Sequence, residues 1–554
     1  MSRHRLKAIL LRHKTQLFFL FITWGLFFSY VFLHTISLRK DGLYFGHPNA
    51  WSDWSLHVAI ANIFAYKDPS VWFSYHPLFA DGKFTYPFLM DFISGIFMRL
   101  GFSLTFSFIF PSIIFSLLMI ISLYFLFYLI SNSKNQSLLA INIFLLSSGM
   151  GFLNFISDFL KRPKLDILIH PVKEYSKFLN YEWYTGSVIV GFLIPQRAFL
   201  MGFTFGFLSL IFLLYPLLRK VDDKQRKIFF AVSGVFAGIL PIAHPHSFIV
   251  LIIIEGLIVL ANIRKIPKIL IFVVVAGLLS SVLYFIFIRG GVEIASFFTF
   301  LPGWTSKGFF DFIYMWAILW GPVIPASILG FILILKKNSL TLKMMFLGFF
   351  MIFIFSNILL FQPLRWDNTK LFWWVYVGLS ILTAIFIARL YRLNLGAKIA
   401  ALMLVISVTF TGILEVIKVS DFQKNTYLLT PREDIDLGFK IRREVLPLDI
   451  FATATTHNNL VMVWGLRPIL LGYTAWALNY GFDYREAELD LYKIYRGDEE
   501  TRNLLEKHNI RYVFIGPAER SQFEVNEEFF RSNFPLAFSN SVNKIYYVGL
   551  REDQ

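Results

Sequence analysis

The chain has 554 residues, of which 56% are hydrophobic and only 16% charged, with 65 Phe, no Cys and a formal charge of +16. So few charges cannot clothe so much apolar side chain in water, which excludes an ordinary soluble protein. The absent cysteine excludes disulfides, thiolate metal sites and a Cys nucleophile. The basic clusters sit beside apolar runs, where topology and lipid phosphate account for them, so no nucleic-acid partner is expected.

A spanning helix needs roughly 20 apolar residues. The first candidate is 15–36, TQLFFLFITWGLFFSYVFLHTI, preceded by Arg3, Arg5, Lys7, Arg12 and Lys14. The positive-inside rule places this N-terminus in the cytoplasm, and with no small-residue cleavage site the run reads as an uncleaved anchor. A long loop, 37–83, follows. Segment 84–101 carries Asp91 and Arg99 and reads either as a span or as a helix at the interface. Spans at 104–130 and 136–157, the basic stretch KRPKLDILIHPVKEYSK, a short apolar segment at 181–197 and a span opened by Arg197 come next.

Four basic loops then mark the cytoplasmic side: 219–227, 264–268, 336–343 and 389–398. They bracket spans at 228–245 and 247–263, 269–288 and 310–335, and 343–361 and 370–389. A last span at 397–417 exports everything after it. From about 418 the chain is polar, and the helical periods of REDIDLGFKIRREVL and ETRNLLEKHNI alternate with β-rich IFATATT, RYVFIGP and KIYYVGL. The expected architecture is an all-α polytopic membrane bundle over 1–417 with an extracytoplasmic α/β domain over 418–554. Parity allows about eleven spans, or about thirteen if 84–101 and 181–197 cross as well.

Polar residues with chemical capability collect in the loops this topology puts outside. In HPNAWSDWSLHVAIANIFAY, Asp53 and His57 are four apart and share one helical face. Trp51, Trp54, Phe64 and Tyr66 suggest a helix in the interfacial belt. Asp53 reads as a general base or metal ligand, or else Ser52 or Asp53 merely caps the helix. His47 and His57 beside Asp53 leave a metal site open, although their spacing is not diagnostic. His76, Pro77 and Pro87 read as turn builders, with Tyr75 and Tyr86 as amphipathic rings. Arg197 either snorkels or awaits a phosphate. His244 and His246 flank a proline at a span end, as ionisable candidates or as partners of a broken backbone. Arg365, Asp367, Asn368 and Lys370 share one short turn, either as an Arg365–Asp367 pair or as a grip on an anionic head group, with Trp366, Trp373 and Trp374 at head-group depth.

These residues resemble the GT-C superfamily of membrane glycosyltransferases, which use polyprenyl-phosphate-linked sugars. The likeness lies in SDWSLH, in YHPLFADGKFTYPF, and in an extracytoplasmic domain after the last span. PQR at 195–197, HPH at 244–246, WDNTK at 366–370 and LLEKHNIRYVFIGPAE bring it closest to prokaryotic members. The resemblance implies inverting transfer from a polyprenyl-phosphate sugar to a hydroxyl of a glycan, lipid or protein acceptor. By position it makes Asp53 the base or metal ligand, and Arg197, Arg365 and Lys370 the cations on the donor phosphate. His57, His76, His244, His246, Asp367 and Asn368 would support them. Many relatives carry adjacent acidic residues in this loop, whereas Trp54 follows Asp53 here, so a divalent metal stays open. A transporter or flippase, with charges lining a midplane path, and a non-catalytic membrane scaffold are the competing readings.

Overall fold

The computed structural model describes residues 11–85, 87–290, 298–335 and 339–549. Arg3, Arg5, Lys7, Tyr86, Lys336 and Lys337, named above, lie outside the described residues.

Where lipid is the solvent, a backbone must satisfy its own polar groups, and the apolar runs accordingly become helices. Among the described residues, eight helices are long and apolar enough to cross a membrane: Lys14–Thr35, Leu104–Ser131, Arg197–Leu218, Asp223–Ala243, Pro245–Asn262, Pro267–Ile288, Arg365–Leu390 and Leu395–Val419. Two further pairs are bent, Lys134–Leu146 with Gly151–Lys161 by 64° and Phe309–Leu319 with Val323–Leu335 by 85°, giving up to ten. Leu340–Ser356 is a shorter apolar helix. Among the described residues, neither segment added by the thirteen-span alternative holds a helix long enough to cross a membrane. Segment 84–101 yields an 11-residue helix, Leu89–Arg99, about 16 Å long against a hydrocarbon core of about 30 Å. Segment 181–197 holds only a five-residue π-helical turn, Ile189–Leu193.

The described residues group into two compact units, each contributed by more than one stretch of chain. The first takes the N-terminal helix as far as Leu33, Ser112–Ile286 and Phe298–Lys424. Within it, Arg365–Leu390 is 83% buried and Pro267–Ile288 only 11%, so the former is the centre of the bundle and the latter presents its apolar side chains to lipid. Close backbone approach sets the packing at Gly412, where an added Cβ would stand 1.7 Å from the Leu146 carbonyl oxygen.

The second unit comprises His34–Pro111, a short piece from Phe287, and the chain from Asn425 on. Ile36–Leu38 and Gly42–Phe45 form an antiparallel hairpin, and Gly42–Phe45 pairs in turn with Tyr427–Pro431. Chain that follows the first span is thereby joined to chain that follows the last. A four-stranded sheet follows in the order Ile450–Ala452, Ile510–Ile515, Lys544–Tyr547, Leu536–Ser539. Its first pair is parallel and the others antiparallel. After Asn425 the unit's two longest helices are Arg432–Glu444 and Arg485–Arg496, and Thr501–Lys507 is a shorter one; the strand Leu536–Ser539 and the helix Arg485–Arg496 had no counterpart in the sequence reading.

The helix Pro48–Tyr66 runs through this second unit. Every residue from Trp54 to Ala65 is buried, so it is a core helix and does not lie flat in an interfacial belt; only Trp51 and Tyr66 of the four aromatics are exposed. It is tied down by Ser55 Oγ donating to the His457 carbonyl at 2.7 Å and Asn62 Nδ2 to the Val463 carbonyl at 2.7 Å. Leu89–Arg99 packs against it at Gly95, where a Cβ would meet Phe64 Cβ at 2.5 Å. Arg99 then caps its C-terminus, donating to the carbonyls of Phe64 and Lys67. The two charges that clouded segment 84–101 are thus both engaged by the loop-one helix.

Candidate active site

In the second unit, Pro48 opens the helix and His47 is its N-cap: the imidazole Nδ1 accepts from the Asn49 and Ala50 amides at 3.1 and 3.4 Å. The capping reading of Ser52 or Asp53 is therefore wrong, because the helix begins more than a turn earlier than the apolar run suggests. Asp53 is its sixth residue, half-buried, with Ser52 Oγ at 3.5 Å from Oδ1. His47 is fully buried, its Nε2 makes no hydrogen bond, and burial pushes the imidazole down to about 3.

His57 shares a face with Asp53 but pairs with Asp91. Nδ1 lies 2.7 Å from Asp91 Oδ2, and both side chains are buried. This pair locks Pro48–Tyr66 to Leu89–Arg99, and it escaped the sequence reading because Asp91 registered there only as a blemish in a possible span. His76 builds a turn, its Nδ1 accepting from the Leu78 amide at 3.2 Å, and burial holds it at about 3. Lys67, also missed, donates to Tyr75 Oη at 2.7 Å and the Pro447 carbonyl at 3.0 Å; burial and the neighbouring Arg467 push it down to about 7.

The remaining candidates belong to the first unit. Arg197 is 0% exposed, and its Nε donates to Ser112 Oγ at 3.3 Å, so it does not snorkel to a wet surface. His244 caps the helix Pro245–Asn262: its Nδ1 accepts from the Ser247 amide and lies 2.7 Å from Ser247 Oγ, which Trp374 Nε1 also contacts. The proline break is thus satisfied by an imidazole. His246 stands 5.4 Å from His244, ring to ring, and the Lys370 ammonium is in electrostatic range of both.

In the turn after Leu364 the expected Arg365–Asp367 pair does not form. Arg365 reaches Glu182 at 3.1 Å, and Asp367 Oδ1 takes Lys370 at 2.5 Å while Oδ2 is buried without a hydrogen bond. Asn368 braces the preceding loop, donating to the Ser356 and Leu359 carbonyls and accepting from the Phe361 amide. Trp373 and Trp374 are buried bundle residues, so only half-buried Trp366 fits a head-group depth.

Among the described residues no three His, Asp or Glu side chains converge as metal ligands.

The chain's long apolar helices are those of a multi-pass membrane protein, and its fold is shared with two solved proteins. It is similar to ArnT from Cupriavidus metallidurans in the apo state, with TM-score 0.50 and 12% identity over 97% of this chain and 98% of that one. The undecaprenyl-phosphate-bound form of that ArnT matches equally, at TM-score 0.50 and 12% identity over 97% and 99%. The Archaeoglobus fulgidus oligosaccharyltransferase in the apo form matches at TM-score 0.51 and 11% identity over 89% of this chain and 69% of that one. At such identities the likeness is one of fold. No family model and no curated protein sequence matches the chain.

Proposed function

We propose that the protein is a membrane glycosyltransferase moving a sugar from a polyprenyl-phosphate donor to an acceptor hydroxyl on the extracytoplasmic face. The observation that carries the reading is Asp53: an ionisable carboxylate on a rigid, well-tied helix, with its capping duty taken by His47. The shared fold with a protein that binds undecaprenyl phosphate supports the donor class.

In this scheme Asp53 accepts the proton of the acceptor hydroxyl as its oxygen bonds to the anomeric carbon. The bond from that carbon to the phosphate oxygen breaks, and the electron pair leaves on the lipid phosphate with inversion at the carbon. Among the three cations of the first unit, Lys370 is the one best able to take a lipid phosphate, since a single carboxylate oxygen engages its ammonium with three donors. Arg365 is half-exposed and held by Glu182; Arg197 is a buried guanidinium that shapes the start of its span. The basic loops orient the N-terminus inward and the chain after Val419 outward.

The test is transfer by purified Asp53→Asn protein, with mass spectrometry of co-purified lipids. Asparagine keeps the side chain's shape and removes the base, so turnover should fall about 10²- to 10⁴-fold with folding unchanged. Retained turnover would remove Asp53 from the chemistry.

A further inference from the structure

Pro48–Tyr66 and Leu89–Arg99 are joined by close packing and by an arginine cap. A Cβ at Gly95 would stand 2.5 Å from Phe64 Cβ and 2.7 Å from the Ala61 carbonyl oxygen. Arg99 donates to the carbonyls of Phe64 and Lys67 at 3.3 and 3.0 Å. The same two helices also bury a titratable pair, with His57 Nδ1 lying 2.7 Å from Asp91 Oδ2. Taking an imidazole and a carboxylate out of water is costly, and a buried pair of this kind seldom repays its desolvation in stability. Proton handling is what such a pair does well. A carboxylate on one ring nitrogen fixes the tautomer, and it stabilises the imidazolium formed when the other nitrogen takes a proton.

Position on the helix says whose proton this would be. Asp53 and His57 are one turn apart on one face of Pro48–Tyr66. Helical side chains lean toward the N-terminus, which aims the His57 ring at the turn that carries Asp53. Burial increases along the series, from half-buried Asp53 through His57 at 8% exposed to Asp91 at 1%.

We propose that His57 and Asp91 form the proton relay behind Asp53, an inference that rests on Asp53 being the base. The acceptor hydroxyl gives its proton to an Asp53 oxygen as its own oxygen bonds to the anomeric carbon. Asp53 hands that proton to His57 Nε2 and becomes a carboxylate again. The imidazolium donates its Nδ1–H to Asp91, then loses the Nε2 proton to water and returns to the neutral ring. His57 acts through Asp53, which makes it a positioning residue, and Asp91 orients it.

The test has two arms on full-length protein, and the first needs no turnover. Solid-state NMR measures the distance between Asp carboxyl carbons and His ring nitrogens, with the pair assigned by its loss in Asp53→Asn and in His57→Asn. Asp53 and His57 should lie within hydrogen-bond reach, directly or through one water. A longer separation would overturn the relay. The second arm times release of polyprenyl phosphate from polyprenyl-phosphate glucose, mannose and galactose. The amide nitrogen of asparagine can stand where Nδ1 stands, so His57→Asn keeps the bond to Asp91 and removes the nitrogen that carries the proton. Its kcat should fall about a hundredfold with KM for the donor unchanged; tryptophan fluorescence reports folding, and Asp91→Asn carries the comparison if His57→Asn is unfolded. Wild-type kcat in a folded His57→Asn protein, beside an Asp53→Asn protein that has lost turnover, would overturn the relay alone. Retained turnover in Asp53→Asn would overturn the base and the relay together.

Discussion

Replacing His47 with asparagine separates a helix cap from a titrating group. Asparagine caps about as well as any side chain but cannot ionise. The native imidazole, fully buried, titrates near 3 against 6.5 when unfolded. A histidine with a lowered folded value contributes stability that is whole above pH 6.5 and is lost as pH falls from 6.5 toward 3, because the unfolded chain takes up the proton first. Between pH 7 and pH 5 that linkage amounts to about 2 kcal/mol for one such group. The assay is unfolding of detergent-solubilised protein by increasing SDS, followed by tryptophan fluorescence at the two pH values. At pH 7 the variant should unfold within about 1 kcal/mol of wild type. Acidification to pH 5 should then destabilise it by about 2 kcal/mol less. Equal acid sensitivity of wild type and His47→Asn would refute the argument that this imidazole is buried and neutral.

Gly95→Ala should destabilise by about 1–3 kcal/mol in the same SDS titration, because the new methyl would stand 2.5 Å from Phe64 Cβ and 2.7 Å from the Ala61 carbonyl oxygen. Arg197→Ala should cost about 3 kcal/mol from lost packing and stranded hydrogen-bond partners. Arg197→Lys should stay folded yet bind a polyprenyl-phosphate analogue more weakly; unchanged affinity would leave Lys370 as the principal phosphate cation. A single Ser541→Cys, at an exposed position in a chain with no native cysteine, should react with an impermeant maleimide on intact cells. Labelling only after lysis would reverse the proposed orientation.

The long spans were legible in the sequence for a simple physical reason. Lipid imposes a length and an apolar composition on each crossing, and both are local properties. After residue 425 the helices Arg432–Glu444 and Thr501–Lys507 and the strands Ile450–Ala452, Ile510–Ile515 and Lys544–Tyr547 were legible by the same local periodicities. What needed tertiary structure was every decision about partners. Whether Asp53 caps a helix turned on where that helix begins, and His47 with Pro48 sets its start ahead of the apolar pattern. His57 finds Asp91 across 34 residues, and Arg365 finds Glu182 across 183, leaving Asp367 to its neighbour Lys370. Asp91 and Arg99 looked like flaws in a span until packing at Gly95 showed them serving the loop-one helix. The hairpin of 36–45 meets its third strand only at 427–431. Spacing along the chain reports periodicity within one helix or strand, whereas ion pairs and sheet edges depend on distances in space between segments remote in sequence, which only the folded chain brings together.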